Sequence, residues 1–461
     1  MSPVSLRIVA FVVSAAAFFA ASGARAQSIS VQTPVFGVGI DADGVLTSKT
    51  FTDPSGKLLA ERLLAARSSQ PGALRAWSDL RKVSLVRLER ALAEILDAGG
   101  KPDDVLLHLA GLLRVQYVFF YPEERDIVIA GPAEGWVEDL SGRAVGQTSG
   151  RPTLLLEDLV VALRAYPPGS RTKQYIGCSI DPRPEGLANL SRFIKTIPAE
   201  ISDDQREPVT LRIAQGMRDS MGMSNVRVFG MSNKTHFAQV VVEADYRMKL
   251  IGIGLEPPPV NMVTFISALS SPKMATMQRW WFVPNYECVK VSEDRLAMEL
   301  VGQGVELLTE DMLLGADGKL TAAGKSPNKA SQQFTTSFTK KYAEIAVRSP
   351  VFAQLRNMID LAVAASFICQ QDYYGQARWR PEALTDEARF PVETCGAPKQ
   401  VPCVVNAVWK GNRLLVPAGG VGIHPDKALE PGNVQSDRDG KLRDRREKTG
   451  ARLPASSWWW D

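Results

Sequence analysis

From Arg279 to Leu307 the chain reads RWWFVPNYECVKVSEDRLAMELVGQGVEL, and this stretch decides the fold class. Apolar and polar residues alternate, as in Val289-Lys290-Val291 and Val305-Glu306-Leu307, with aromatics at its head. A period of two is the spacing of antiparallel strands with one buried face. On either side the period turns helical. Before it, Phe237, Val240, Val241, Ala244 and Met248 share one helix face, and after it Phe334, Phe338, Tyr342 and Ile345 do the same up to Ser349-Pro350. The next run, Val351–Cys369, is almost wholly apolar but contains Arg356, Asn357 and Asp360, so it reads as a core helix rather than a membrane span.

Working outward, Val35–Leu46 predicts strand, turn at Asp41–Gly44, and strand. A helix follows on Leu85, Leu88, Leu92, Ile95 and Leu96, with Ser84 as N-cap and Gly99-Gly100 as stop. Pro102-Asp103 opens a helix to Arg114, and Val115–Tyr121 with Asp126–Ala130 forms a hairpin. A third helix, Leu154–Tyr166, ends at Pro167-Pro168-Gly169. Strands are expected at Tyr175–Ile180, Val226–Gly230, Val401–Trp409 and Arg413–Val416, and helices at Gly186–Ile197 and Val209–Met221. Gly419-Gly420-Val421-Gly422 reads as a glycine-rich turn. The fold expected is α+β, in two or three modules of helices packed on antiparallel or mixed sheets. The segments are 1–26, 27–168, 169–325, 326–430, and a charged, disordered tail at 431–461.

The length of 461 residues allows about three domains at roughly 150 residues each. A core of that size needs no metal or disulfide to hold it. Arg7, the apolar run Ile8–Ala21 and Ala24-Arg25-Ala26 form a secretory signal cleaved before Gln27. The mature chain is therefore expected in the periplasm or secreted, with no membrane span after cleavage. The formal charge is +4, and without Arg7 and Arg25 it is +2. Seven basic and five acidic residues lie in the tail, leaving 27–430 balanced. Nucleic-acid binding, which draws on clustered Lys and Arg to displace counterions, is not expected.

Cys178, Cys288, Cys369, Cys395 and Cys403 all fall in the mature chain, and the short loop CGAPKQVPC suggests a Cys395–Cys403 disulfide. Five buried thiols packing as small hydrophobes are the alternative. His108, His236 and His424 are far apart, and no H-E-x-x-H or C-x-x-C spacing is present, so neither metal nor cofactor is expected. His236, after Thr235 at a helix start, reads as a surface or capping residue, and His424 as a possible lining residue. Asp41-x-Asp43-Gly44 opens like a calcium loop, but position twelve is Thr52 where a bidentate Glu is needed. The one catalytic candidate is Ser337-Phe338-Thr339-Lys340, a Ser-x-x-Lys box that would set nucleophile and base one helical turn apart. Its partner motif is deficient: Lys448-Thr449-Gly450 sits in the charged tail and no S-x-N lies between. The aromatic triplet Trp458-Trp459-Trp460 marks a contact with the body or with a partner.

Ala244-Asp245-Tyr246-Arg247-Met248-Lys249 with Gly252-Ile253-Gly254, Trp281-Phe282-x-Pro284 and Gly419-Gly420-Val421-Gly422-Ile423 together resemble a family of exported bacterial proteins catalogued only as a domain of unknown function. The likeness spans most of the mature chain short of the tail. It implies export and an α+β fold and carries over no functional residues. The expected function is a non-catalytic binding or scaffolding component of the bacterial cell envelope, with an unknown envelope protein or ligand as partner. The alternatives are an envelope hydrolase using Ser337 and Lys340, and a subunit of an export apparatus.

Overall fold

Strands distant in the sequence lie side by side in two large sheets of this computed structural model. It describes residues 35–170, 175–197, 206–269, 276–314, 320–322, 328–408, 413–450, 454 and 457–461. The leader read at 1–26 lies outside these residues.

The first sheet runs β14 (Leu320–Ala322), β13 (Val305–Leu314), β10 (Thr276–Pro284), β17 (Arg413–Ile423), β8 (Ile176–Pro182), β9 (Met223–Phe229) and β15 (Gln400–Pro402), with β16 (Asn406–Val408) also on β17. The second runs β18 (Gln435–Ser436), β11 (Val289–Val291), β12 (Ala297–Leu300), β4 (Tyr117–Tyr121), β5 (Asp126–Ala133), β3 (Ser78–Ser84) and β19 (Trp459–Trp460). Two hairpins stand apart, β1 (Val35–Ile40) with β2 (Leu46–Phe51), and β6 (Trp136–Glu138) with β7 (Ala144–Gly146). The longer helices are α1 (Lys57–Ser69), α2 (Leu85–Asp97), α3 (Leu156–Ala165), α4 (Pro184–Ile194), α5 (Arg206–Met221), α6 (His236–Gly252), α7 (Lys329–Arg348), α8 (Pro350–Gln370) and α9 (Lys441–Gly450). The protein is α+β, and each large sheet takes strands from more than one of the segments at 27–168, 169–325, 326–430 and 431–461.

The deciding stretch is divided between the sheets. Its ends, β10 and β13, pair in the first, and its middle, β11 and β12, pairs in the second, so it ties the two together. Trp280 is fully buried between Phe265 and Phe334 in edge-on contacts at 5.3 and 4.8 Å, and its indole N–H donates to the Ser331 hydroxyl. α8 is the core helix that its apolarity requires. Among the described residues it alone is long and apolar enough to cross a membrane, and the whole of that window is packed inside the protein. Arg114 neutralises its Asp360 at 2.6 Å, and the Asn357 amide donates to the Leu113 carbonyl.

Local signals are obeyed at α2, where Ser84 accepts the Arg87 N–H at 3.1 Å, and at the β1–β2 turn, where the Asp41 carboxylate takes the N–H groups of Asp43 and Val45. Two local expectations fail for tertiary reasons. The helix from Pro102 covers only Asp104–Leu107, because at Leu109 and Ala110 the backbone turns to positive φ and brings Leu112 opposite Ala133. Gly419–Gly422 is strand, not turn, wedged between β10 and β8. The segment 431–461 carries α9 and β19: Leu442 packs under the second sheet, and β19 extends its edge.

The Cys395–Cys403 bridge is not formed; all five thiols are free. The Cys395 N–H donates to the Lys234 carbonyl and that of Cys403 to the Gly222 carbonyl, so the segment lies along β9 with its ends beyond opposite ends of that strand. A disulfide needs Cα atoms within about 7 Å.

Candidate functional site

α6 begins at Thr235, whose hydroxyl accepts the Ala238 N–H, and it sets His236, Gln239 and Glu243 at spacings of three and four on one face. That polar stripe looks onto the first turn of α3, the β6–β7 hairpin and α8. Between them lies a cleft of about 310 Å³, lined among others by His108, Glu138, Arg143, Glu157, Glu243 and Gln354.

His236 is not a surface or capping residue. Thr235 takes the capping role, and the imidazole Nδ1 meets the Asp158 carboxylate at 2.9 and 3.1 Å. A fifth of the imidazole stays exposed, at 21%, whereas Asp158 is buried at 2%. The amide nitrogen of Gln354 faces Nε2 at 3.5 Å, while its Oε1 accepts from Arg143 Nε at 2.9 Å. With Gln354 held as a donor there, the neutral imidazole keeps its proton on Nδ1 and offers Nε2 as acceptor; the second proton would have to point into the cleft.

Arg143 is held from three sides. Its guanidinium donates to Ser141 Oγ, to Gln354, and to both oxygens of Glu243 at 2.6 and 2.5 Å. Glu243 continues to Arg247 at 3.6 Å, and Arg247 to Glu256 at 2.6 Å, so charges alternate down the buried side of α6. Each buried ion is paired, as the low dielectric demands.

Burial alone would push the His236 pKa down. The Asp158 carboxylate, by charge and hydrogen bond, with Glu157 beside it, outweighs burial and the opposing Arg143, and the pKa is raised above its ordinary 6.5. Burial and the Asp158 charge push the Glu157 carboxyl up, against His236 and the Thr394 hydroxyl. Burial pushes His108 down. Because the folded pKa of His236 is the higher one, its stabilising contribution is complete below about pH 6.5 and is lost as pH rises through the folded value. With three histidines in the chain, proton NMR reads this directly. His236 is expected to titrate above 6.5 in the wild type and below 6.5 in Asp158→Asn, where burial is left without the opposing carboxylate. Titration of His236 at the same pH in both proteins would refute the pairing.

The residues singled out in the sequence are not brought together here. Ser337 lies on the third turn of α7, its hydroxyl accepting the Val263 N–H at 3.0 Å, and Lys340 is exposed one turn on. Lys448-Thr449-Gly450 closes α9 instead of forming a strand. His424 stacks on Tyr175 at 4.2 Å. His108 reaches the cleft, tilted on Trp136 at 5.0 Å. Sequence reasoning missed Asp158, Arg143, Glu243 and Gln354, which belong to no motif. The signal available was the stripe His236, Gln239, Glu243 on a helix otherwise rich in apolar residues.

Residues 178–265, from β8 through α6, match the family described as Protein of unknown function (DUF1598). His236, Gln239 and Glu243 fall inside that match; Asp158, Arg143 and Gln354 fall outside it. No curated protein and no solved structure matches the chain.

Proposed function

We propose that the protein is an exported, non-catalytic binding component of the bacterial cell envelope, and that the His236 cleft takes a small cationic molecule rich in hydrogen-bond donors. The apolar leader supports export. One observation carries the ligand reading: Arg143 is consumed by Glu243, so Glu138 and Glu157 give the cleft an excess of negative charge. Such a lining attracts cations and donor groups, more strongly as water is excluded. The cleft contains the base-and-orienter half of a nucleophilic set in His236 and Asp158, yet the group facing Nε2 is the Gln354 amide and not a hydroxyl or thiol.

Glucosamine and putrescine, titrated calorimetrically, are the probes. Saturable binding of at least one is expected, weakened about tenfold by Glu157→Gln through loss of a charge-assisted contact. Binding of neither, or binding indifferent to Glu157→Gln, would overturn the ligand reading. A fluorophosphonate or fluorescent penicillin adduct that depends on Ser337 would overturn the non-catalytic one.

A further inference from the structure

β3 would be the open edge of the second sheet but for β19, which pairs with it antiparallel, Trp459 opposite Val83 and Trp460 opposite Lys82. The Ser84 N–H donates to the Trp458 carbonyl at 2.8 Å, and Arg87 reaches the carbonyls of Pro454 and Ser457. At the centre is Arg81, with no exposed surface. Backbone carbonyls of Ala73, Leu74 and Ala110 take three of its N–H bonds at 3.0, 3.3 and 2.7 Å. The remaining fork meets the two side-chain oxygens of Asp461, each at 2.9 Å. Trp459 lies over the same guanidinium, 5.0 Å from ring centre to its carbon, and with Trp458 packs on Leu74, Ala110 and Trp136. Residues two apart on a strand project to the same side, so Trp459 and Asp461 are read together at Arg81.

The receptor side is built from β3 and from backbone at residues 73–74 and 110, none of it belonging to the docked segment. The guanidinium would stay in place without Asp461, as a buried charge lacking its counter-ion, which strongly favours taking up another carboxylate. The occupant is held lightly by comparison: its ladder is two residues long and the Asp461 side chain is 42% exposed. Strand addition with side-chain selection is a general mode of peptide recognition.

We propose that the β3 edge, with Arg81 at its centre, is a recognition site for an extended partner segment of the pattern aromatic–any–acidic, and that residues 457–461 are its built-in occupant. The segment competes with such a partner and gives way to it. This site is separate from the His236 cleft and stands or falls without it.

The test uses the full chain and a fluorescein-labelled peptide Ser-Ser-Trp-Trp-Trp-Asp, followed by anisotropy. In the Trp459→Ala/Asp461→Asn variant the internal segment is a poor competitor, so saturable binding about tenfold or more tighter than to the wild type is expected. Replacing the peptide Asp by Asn should weaken it by about tenfold, through loss of the charge-assisted fork. Asp461→Asn alone, which keeps the tryptophans and the ladder, is the milder variant and should fall between. No saturable binding to either folded variant, or equal affinity for the Asp and Asn peptides, overturns the proposal. A wild-type dimer that the peptide dissolves supports the same site with a second copy as the partner.

Discussion

Replacing Lys249 by methionine is expected to destabilise the protein by roughly 3–5 kcal/mol, the usual consequence of leaving one member of a buried ion pair alone. Lys249 and Asp245 lie one turn apart on α6, 1% and 0% exposed, with Nζ 2.6 Å from Oδ2. The other ammonium protons face the carbonyls of Gly419 at 3.2 Å and Ile180 at 3.4 Å, so the lysine ties α6 to β17 and β8. Burial drives the Asp245 pKa up, and even with Lys249 beside it the value is about 6. A raised carboxylate pKa means that ionising Asp245 in the folded state opposes folding, an effect absent below about pH 4 and complete once pH exceeds the folded value. Without Lys249 that pKa climbs further. The deficit of Lys249→Met should therefore be smaller at pH 5, where Asp245 can hold a proton, than at pH 8. Urea unfolding at both pH values measures it, and Asp245→Leu/Lys249→Met should recover most of the loss because neither charge remains. A deficit equal at pH 5 and pH 8 would show that Asp245 is not ionised in the pair.

Gly419→Ala is expected to cost about 2–5 kcal/mol, summing backbone strain and overpacking. At φ +111° the residue is in a region that side chains avoid, and an added Cβ would stand 2.0 Å from the Trp280 carbonyl oxygen and 2.7 Å from its nitrogen. Backbone cannot be pushed aside as a flexible side chain can, so β17 must part from β10. The same movement carries the Gly419 carbonyl away from Lys249 Nζ, and the two substitutions should be non-additive in a double-mutant cycle. Gly432→Ala is the control. Nothing lies within 4 Å of its Cβ position, and its effect should stay within about 0.5 kcal/mol. A Gly419→Ala protein as stable as that control would contradict the packing at this strand.

Both effects concern groups whose identity is plain in the sequence and whose surroundings are not. Asp245 and Lys249 show their i, i+4 spacing, but not that Ile180 and Gly419 bring two strands up to the ammonium. The glycines at 419, 420 and 422 look like a turn when read alone. They become strand because β10 and β8 approach 419 and 420 so closely that a side chain would strike backbone, while at 422 it would meet the Tyr175 ring. In the same way, the charged composition of 431–461 signals a tail, and only docking on the second sheet gives α9 and β19 a place to bury Leu442 and the tryptophans.

What the residues determine unaided is whatever depends on neighbours in the chain. The strand period from Arg279 to Leu307, the cap at Ser84, the helix faces of α6 and α7 and the burial of α8 all follow from spacings of two to four residues. What tertiary structure alone decides is which distant groups share a place. Asp158 and His236 are 78 positions apart, Arg143 and Gln354 are 211 apart, and Arg81 and Asp461 are 380 apart. A carboxylate and a base attract across a few ångströms whatever their separation along the chain. The sequence therefore contains the partners, and the packing of α3, α6 and α7 on α8, with the pairing of distant strands into two sheets, is what introduces them.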